Sequence, residues 1–190
     1  MPLQSRIALK EWAVVCDALA SGEQVLLFRK GGIREEGKKF TVDHSEFLFF
    51  PTLEHQNREA LRPQWQDRLA GYRPAGSPAE KISLSVFAGV SQIFKAGKVE
   101  PLLRLSQFHP YNEDFFRMRL AYKPNEPLWV FLIRAFLLPK AVSVPNLPRY
   151  AGCKSWVELE KDLPCENLKP VLSLDRFMTI REKVTATLSS

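Results

Sequence analysis

The side chains able to do chemistry cluster in the first third of the chain. His44 and His55, separated by ten residues, flank the apolar run Phe47 to Phe50, with Glu46 and Glu54 beside them. An imidazole next to a carboxylate can form a general acid/base pair, and two of each can hold a metal ion. The spacing lacks the i,i+4 logic that places two ligands on one helical face, so no metal site is assigned. Glu36-Gly37-Lys38 has the acidic-x-Lys form of metal-dependent nucleases. With His44 or His55 it would make a phosphoester hydrolase. Such tripeptides are common in charged chains, and a solvated hairpin tip is the simpler reading.

A third constellation points to binding. Arg29, Lys30 and Arg34 surround Gly31-Gly32, and cations beside open backbone N–H groups make a nest for phosphate or carboxylate. The glycines have neither P-loop nor dinucleotide spacing. His55 and Gln56 would add polar contacts, and Phe40 is the nearby aromatic not committed to a core. His109, before Pro110, is expected to satisfy backbone groups at a helix junction. No Ser-His-Asp, Cys-His or G-x-S-x-G arrangement is present. The leading expectation is a non-enzymatic module for an anionic ligand, nucleic acid or nucleotide. The alternatives are the hydrolase using Glu36, Lys38 and His44, and a protein–protein adaptor.

Bulk properties agree with a soluble globular chain. Its 190 residues are 45% hydrophobic and 25% charged, with a formal charge of +6 that favours anionic partners. The cations are dispersed among carboxylates rather than gathered in a run. Cys16, Cys153 and Cys165 form no C-x-x-C pair and cannot all be paired, which suits a reducing compartment. The start of the chain lacks an apolar signal region and no stretch reaches the ~20 apolar residues needed to span a bilayer. A cytoplasmic location without membrane contact is therefore expected.

The elements that must position these groups can be read from periodicity. Leu9, Trp12, Ala13, Cys16, Leu19 and Ala20 predict a helix with one apolar stripe, stopped by Ser21-Gly22. Strands are predicted near Val25, Phe47, Ile82 and Leu128, with a hairpin bend at Gly37 and a bulge at Ala88-Gly89. Thr52 is expected to cap a helix from Leu53 that Pro63 kinks or divides. Asn112 should cap a helix from Glu113 to Tyr122, and a last helix from about Leu174 should bury Phe177, Ile180 and Val184. Together these predict one α+β domain over residues 1–190, with a mixed or barrel-like sheet and flanking helices. Residues 71–80, rich in Gly, Pro and Ser, are the candidate subdomain boundary or mobile loop.

Two blocks of sequence resemble a bacterial family, the domain of unknown function 1802 family. One joins Leu9-Lys10-Glu11-Trp12 to Leu27-Phe28-Arg29-Lys30-Gly31-Gly32-Ile33, Phe47-Leu48-Phe49-Phe50-Pro51-Thr52 and His55-Gln56. The other joins Pro127-Leu128-Trp129-Val130 to Arg134, Leu138-Pro139, Tyr150, Gly152-Cys153 and Ser155-Trp156. The resemblance implies a free-standing single-domain bacterial protein and no established activity, catalytic residue or cofactor. The order of elements is also similar to that of the PUA-like barrels, among them ASCH and EVE domains, which often bind RNA or modified bases. That is an analogy of fold, and fold alone does not supply function.

Overall fold

The computed structural model describes residues 4–31, 33–36, 39–72, 80–152 and 154–189, with backbone alone at 33–36 and 39–41. The chain enters as β1 (Gln4–Trp12), passes directly into α1 (Ala13–Ala20) and returns as β2 (Leu26–Arg29). A hairpin follows, β3 (Ile33–Glu36) with β4 (Lys39–Val42), then β5 (Glu46–Thr52) and α2 (Pro63–Ala70). The long strand β6 (Lys81–Ala96) leads through α3 (Val99–Arg104) and α4 (Glu113–Ala121) to β7 (Leu128–Pro145). The chain ends with β8 (Trp156–Pro164), the short β9 (Lys169–Pro170) and α5 (Leu174–Leu188).

The main sheet runs β2-β7-β6-β5-β1-β8, with β9 against β7. It is mixed, since β1 lies parallel to β5 while its other ladders are antiparallel. Residues on both sides of 71–80 share this sheet and its larger core, which takes in Trp65 and Leu69 as well as Val86, Leu102 and Phe115. Residues 73–79 themselves, the heart of the expected boundary, lie outside the described residues.

The sheet curls without closing. Phe136 of β7 and Val157 of β8 belong to one buried cluster, yet four strand spacings, about 19 Å in a flat sheet, separate those strands. The curl comes from β6 and β7, whose 16 and 18 residues would outrun a domain with a radius of gyration of about 16 Å if straight. Register shifts between Leu84 and Val86 and between Val90 and Gln92 bend them. The predicted bulge at Ala88-Gly89 is thus displaced to either side of it. The barrel-like expectation is met by the curvature and corrected at closure, because β2 and β8 are the two ends of an open strand order.

Two helix predictions are corrected as well. Leu9 to Trp12 belong to β1, where they pair with Phe49 to Thr52. The gain from a two-sided ladder overrides a helical pattern that is only local. The remaining helix, α1, buries Ala13, Val14, Val15, Cys16, Ala18 and Leu19 against β1, β5, β6, β7 and α2. After Thr52 no helix starts at Leu53; α2 starts at Pro63, which fits the first helical position because its missing N–H is needed by nothing there. Asn112 does cap α4, its Oδ1 accepting from Phe115 N–H at 3.0 Å, and α5 buries Phe177, Ile180 and Val184.

Candidate functional site

Two adjoining clefts open where the carboxy ends of β1, β2 and β5 meet α4. The first, about 500 Å³, is lined among others by Lys10, Glu11, Arg29, His55, Tyr111 and Lys154. The second, about 550 Å³, is lined among others by Lys30, Gly31, Asp43, Tyr122 and Trp156. Arg29 and Arg119 line both, so the two clefts adjoin at these residues. Each has the size of a small-molecule site, about 300–1,000 Å³.

Glu11 and Arg29 form the floor. Glu11 Oε2 accepts from Arg29 Nη2 at 2.8 Å and Oε1 accepts from Trp12 N–H at 3.0 Å. Their side chains are 12% and 18% exposed, and Arg29 Nε is buried with no partner among the described residues.

An aromatic stack makes one wall. The Tyr111 and Phe115 rings lie parallel, centroids 3.8 Å apart, and the Arg119 guanidinium sits 5.5 Å from the Phe115 centroid. Such a cation over a ring face adds roughly 0.5–2 kcal/mol. Trp12 meets Tyr111 edge-on at 6.0 Å. Burial first, then the Glu11 carboxylate, push the Tyr111 phenol well above its usual range, so it stays protonated.

His109 supports the stack from beneath. Fully buried, it donates from Nε2 to Leu102 C=O at 3.0 Å and accepts at Nδ1 from Tyr111 N–H at 3.2 Å. That bonding fits a neutral ring, and burial lowers its pKa to about 4. It thus has the backbone-satisfying role expected of it.

The opposite wall depends on Lys10. Its ammonium, 8% exposed, donates to the carbonyls of Tyr150 and Gly152 and pairs with Glu54 at 3.3 Å. This holds the segment before Lys154 against β1. His55 stands on the rim, exposed and with φ of 57°, in the left-handed region that a residue with a Cβ adopts at a cost of about 1–2 kcal/mol.

The predicted site residues divide accordingly. Arg29 and His55 come together in the first cleft, and Arg29, Lys30 and Gly31 in the second. Lys30 is turned to carbonyls of the turn after α4, Lys123 at 3.2 Å and Glu126 at 2.6 Å. Gln56 lines neither cleft, and its Oε1 is buried without a partner among the described residues. Of Arg34 and Glu36 the backbone alone is described, in β3, and Gly32 and Lys38 lie outside the described residues. His44 packs edge-on against Trp156, centroids 4.8 Å apart, and lines neither cleft. Among the described residues no three His, Cys, Asp or Glu are gathered to hold a metal, and no helix is long and apolar enough to cross a membrane.

Glu11, Tyr111, Phe115, Arg119 and Lys154 were not foreseen from the sequence. A signal existed for part of the wall: Phe115, Arg119 and Tyr122 recur at i, i+4 and i+7, one face of a helix carrying aromatics and a cation. For Glu11 there was none.

Among solved structures, the ASCH protein of Zymomonas mobilis is similar at 15% identity and a TM-score of 0.43, covering 95% of this chain and 93% of its own. A singly substituted form of it gives a TM-score of 0.46 at 15% identity, over 85% of this chain and 92% of its own. No curated protein matches. Residues 8–183 match the family described as "Domain of unknown function (DUF1802)", which spans both clefts and nearly all of the sheet, and the chain belongs to that family.

Proposed function

We propose that the chain is a binding module for an anionic ligand of the nucleotide or single-stranded nucleic-acid class, held in the double cleft. The observation that carries this reading is that Arg29 and Arg119 line both clefts, with the exposed Tyr122 beside them in the second: an open aromatic ring and cations stand together. Bases stack on such rings whatever their identity, and phosphates go to the cations. The charge balance supports it. Lys10, Arg29, Lys30, Arg119 and Lys154 line the clefts against Glu11, Asp43 and Glu54. Lys10 and Arg29 are paired to carboxylates, whereas Arg119 and Lys154 have no ion pair among the described residues and remain available to phosphate.

This reading shifts the binding residues from the glycine pair to the cleft. Arg29 and His55 stay in it, Lys30 contributes charge at a distance, and Arg119 and Lys154 become the principal phosphate contacts. The test is fluorescence anisotropy with labelled single-stranded RNA and DNA at two salt concentrations. Binding should weaken as salt rises and fall about tenfold in Arg119→Ala, since a charged hydrogen bond and a stacking contact are lost together. Absence of binding to both strands and to free nucleotides would end this reading.

A further inference from the structure

The cleft floor presents an ordered set of hydrogen-bonding groups. A carboxylate offers about four lone-pair sites. Each Glu11 oxygen uses one on a protein donor, Oε1 on Trp12 N–H and Oε2 on Arg29, so each keeps capacity for one more. Beside them the Arg29 guanidinium bonds Glu11 through one terminal nitrogen, and its terminal N–H groups keep donor capacity, whereas Nε is buried away from the cleft. From Glu11 to Arg29 the floor therefore reads acceptor, acceptor, donor.

The four bases differ in what they bring to such a row. Guanine carries two neighbouring donors, N1–H and the N2 amino group, next to the acceptor O6. Adenine has one amino donor next to one acceptor, cytosine one amino donor beside two acceptors, and uracil or thymine one N–H between two acceptors. Only guanine satisfies both carboxylate oxygens and the guanidinium together. A base lacking either donor would leave a buried carboxylate oxygen facing a carbonyl or a lone pair, which costs far more than a merely missing contact.

We propose that Glu11 and Arg29 make the first cleft a guanine-reading site. Tyr111 and Phe115 line the same cleft, and Arg119 and Lys154, which also line it, are the cations for the phosphate. This rests on the nucleotide-binding reading and specifies its ligand. The recognised chemistry is a guanine edge, whether in a free mononucleotide or in a strand.

The test titrates the full chain with GMP, IMP, AMP, CMP and UMP by calorimetry, and with two single-stranded RNA oligonucleotides, one containing a single G and one none. GMP should bind at least about tenfold tighter than AMP, CMP and UMP, and IMP, which lacks only the N2 donor, should lose about tenfold against GMP. Glu11→Gln exchanges one acceptor for a donor and should erase the GMP/IMP difference and narrow the preference for GMP over AMP. If Glu11→Gln fails to fold, the GMP/IMP comparison on the unaltered chain decides alone. Preference for the G-containing strand with weak GMP binding places guanine within a polymer; strong GMP binding places it in a free nucleotide. Equal affinity for all bases overturns the guanine assignment and leaves the binding module standing, whereas no binding by any nucleotide or strand overturns both.

Discussion

Arg29, at the end of β2, donates a 2.8 Å hydrogen bond to Glu11, near the end of β1, although β7, β6 and β5 lie between those strands in the sheet. In a flat sheet the two would stand about 19 Å apart. The curl of the sheet brings the pair together, and both residues line the first cleft.

Breaking the pair should therefore destabilise the fold locally and globally. Arg29→Met leaves a largely buried carboxylate without its partner, at a cost of about 2 kcal/mol, read as a lower urea midpoint with an unchanged m-value. Arg29→Met combined with Glu11→Leu should recover most of that loss. A double variant as unstable as the sum of the singles would show that the two side chains do not act as a pair.

Stability should fall in mild acid because of His109. Its pKa drops from the ordinary 6.5 to about 4 in the folded state, through burial above all. The unfolded chain therefore takes up this proton near pH 6.5, while the native ring stays neutral until about pH 4. The contribution is fully present above pH 6.5 and is lost as pH falls from there to about 4, amounting to about 3 kcal/mol. Urea melts of the wild type and of His109→Gln across this window should show a slope in the first that is reduced in the second; parallel profiles would exclude His109 as its source.

Gly22 should not tolerate a side chain. It follows the carboxy end of α1 with φ of 76°, and an added Cβ would lie 2.7 Å from Leu172 Cδ2 and 3.2 Å from Val171 Cγ1. Backbone strain and overlap act together, so Gly22→Ala should cost about 2 kcal/mol in thermal or urea unfolding. A loss of only a few tenths would mean that the segment before α5 yields freely.

Asn112 couples the fold to the aromatic wall. Its Oδ1 caps α4 at Phe115 N–H, and its amide donates to Glu59 C=O at 2.6 Å. Asn112→Ala should cost about 1–2 kcal/mol, whereas Asn112→Asp keeps the cap and loses the amide donor to the Glu59 and Leu61 carbonyls. If both variants lose equally, the contacts to Glu59 and Leu61 and not the cap secure α4.

Most of the elements were legible in local sequence, because hydrophobic period and capping chemistry act over a few residues. The apolar runs at Phe47 and Leu128, the alternation from Ile82, the Asn112 cap and the Phe177-Ile180-Val184 stripe each stand in the structure as predicted. The first element did not, because Leu9 to Trp12 satisfy a helical stripe equally well, and only the distant β5 and β8 make them a strand. β8 was likewise unread as a strand: the alternation of Val157 and Leu159 with Glu158 and Glu160 is brief, and its pairing with β1 spans almost the whole chain.

The site divides along the same line. Arg29 and His55 were visible because polar groups at the ends of apolar runs stand where strands give way to loops. Glu11, Arg119 and Lys154 carried no such mark, and their meeting with Arg29 depends on how far the sheet curls. From residue types and short spacings alone the sequence determined an α+β composition, most of the strands and helices, and a net basic charge. Which cations and aromatics face one cleft was decided only in three dimensions, because the bends in β6 and β7 bring together β1 and β2, which lie four strand spacings apart in the sheet order.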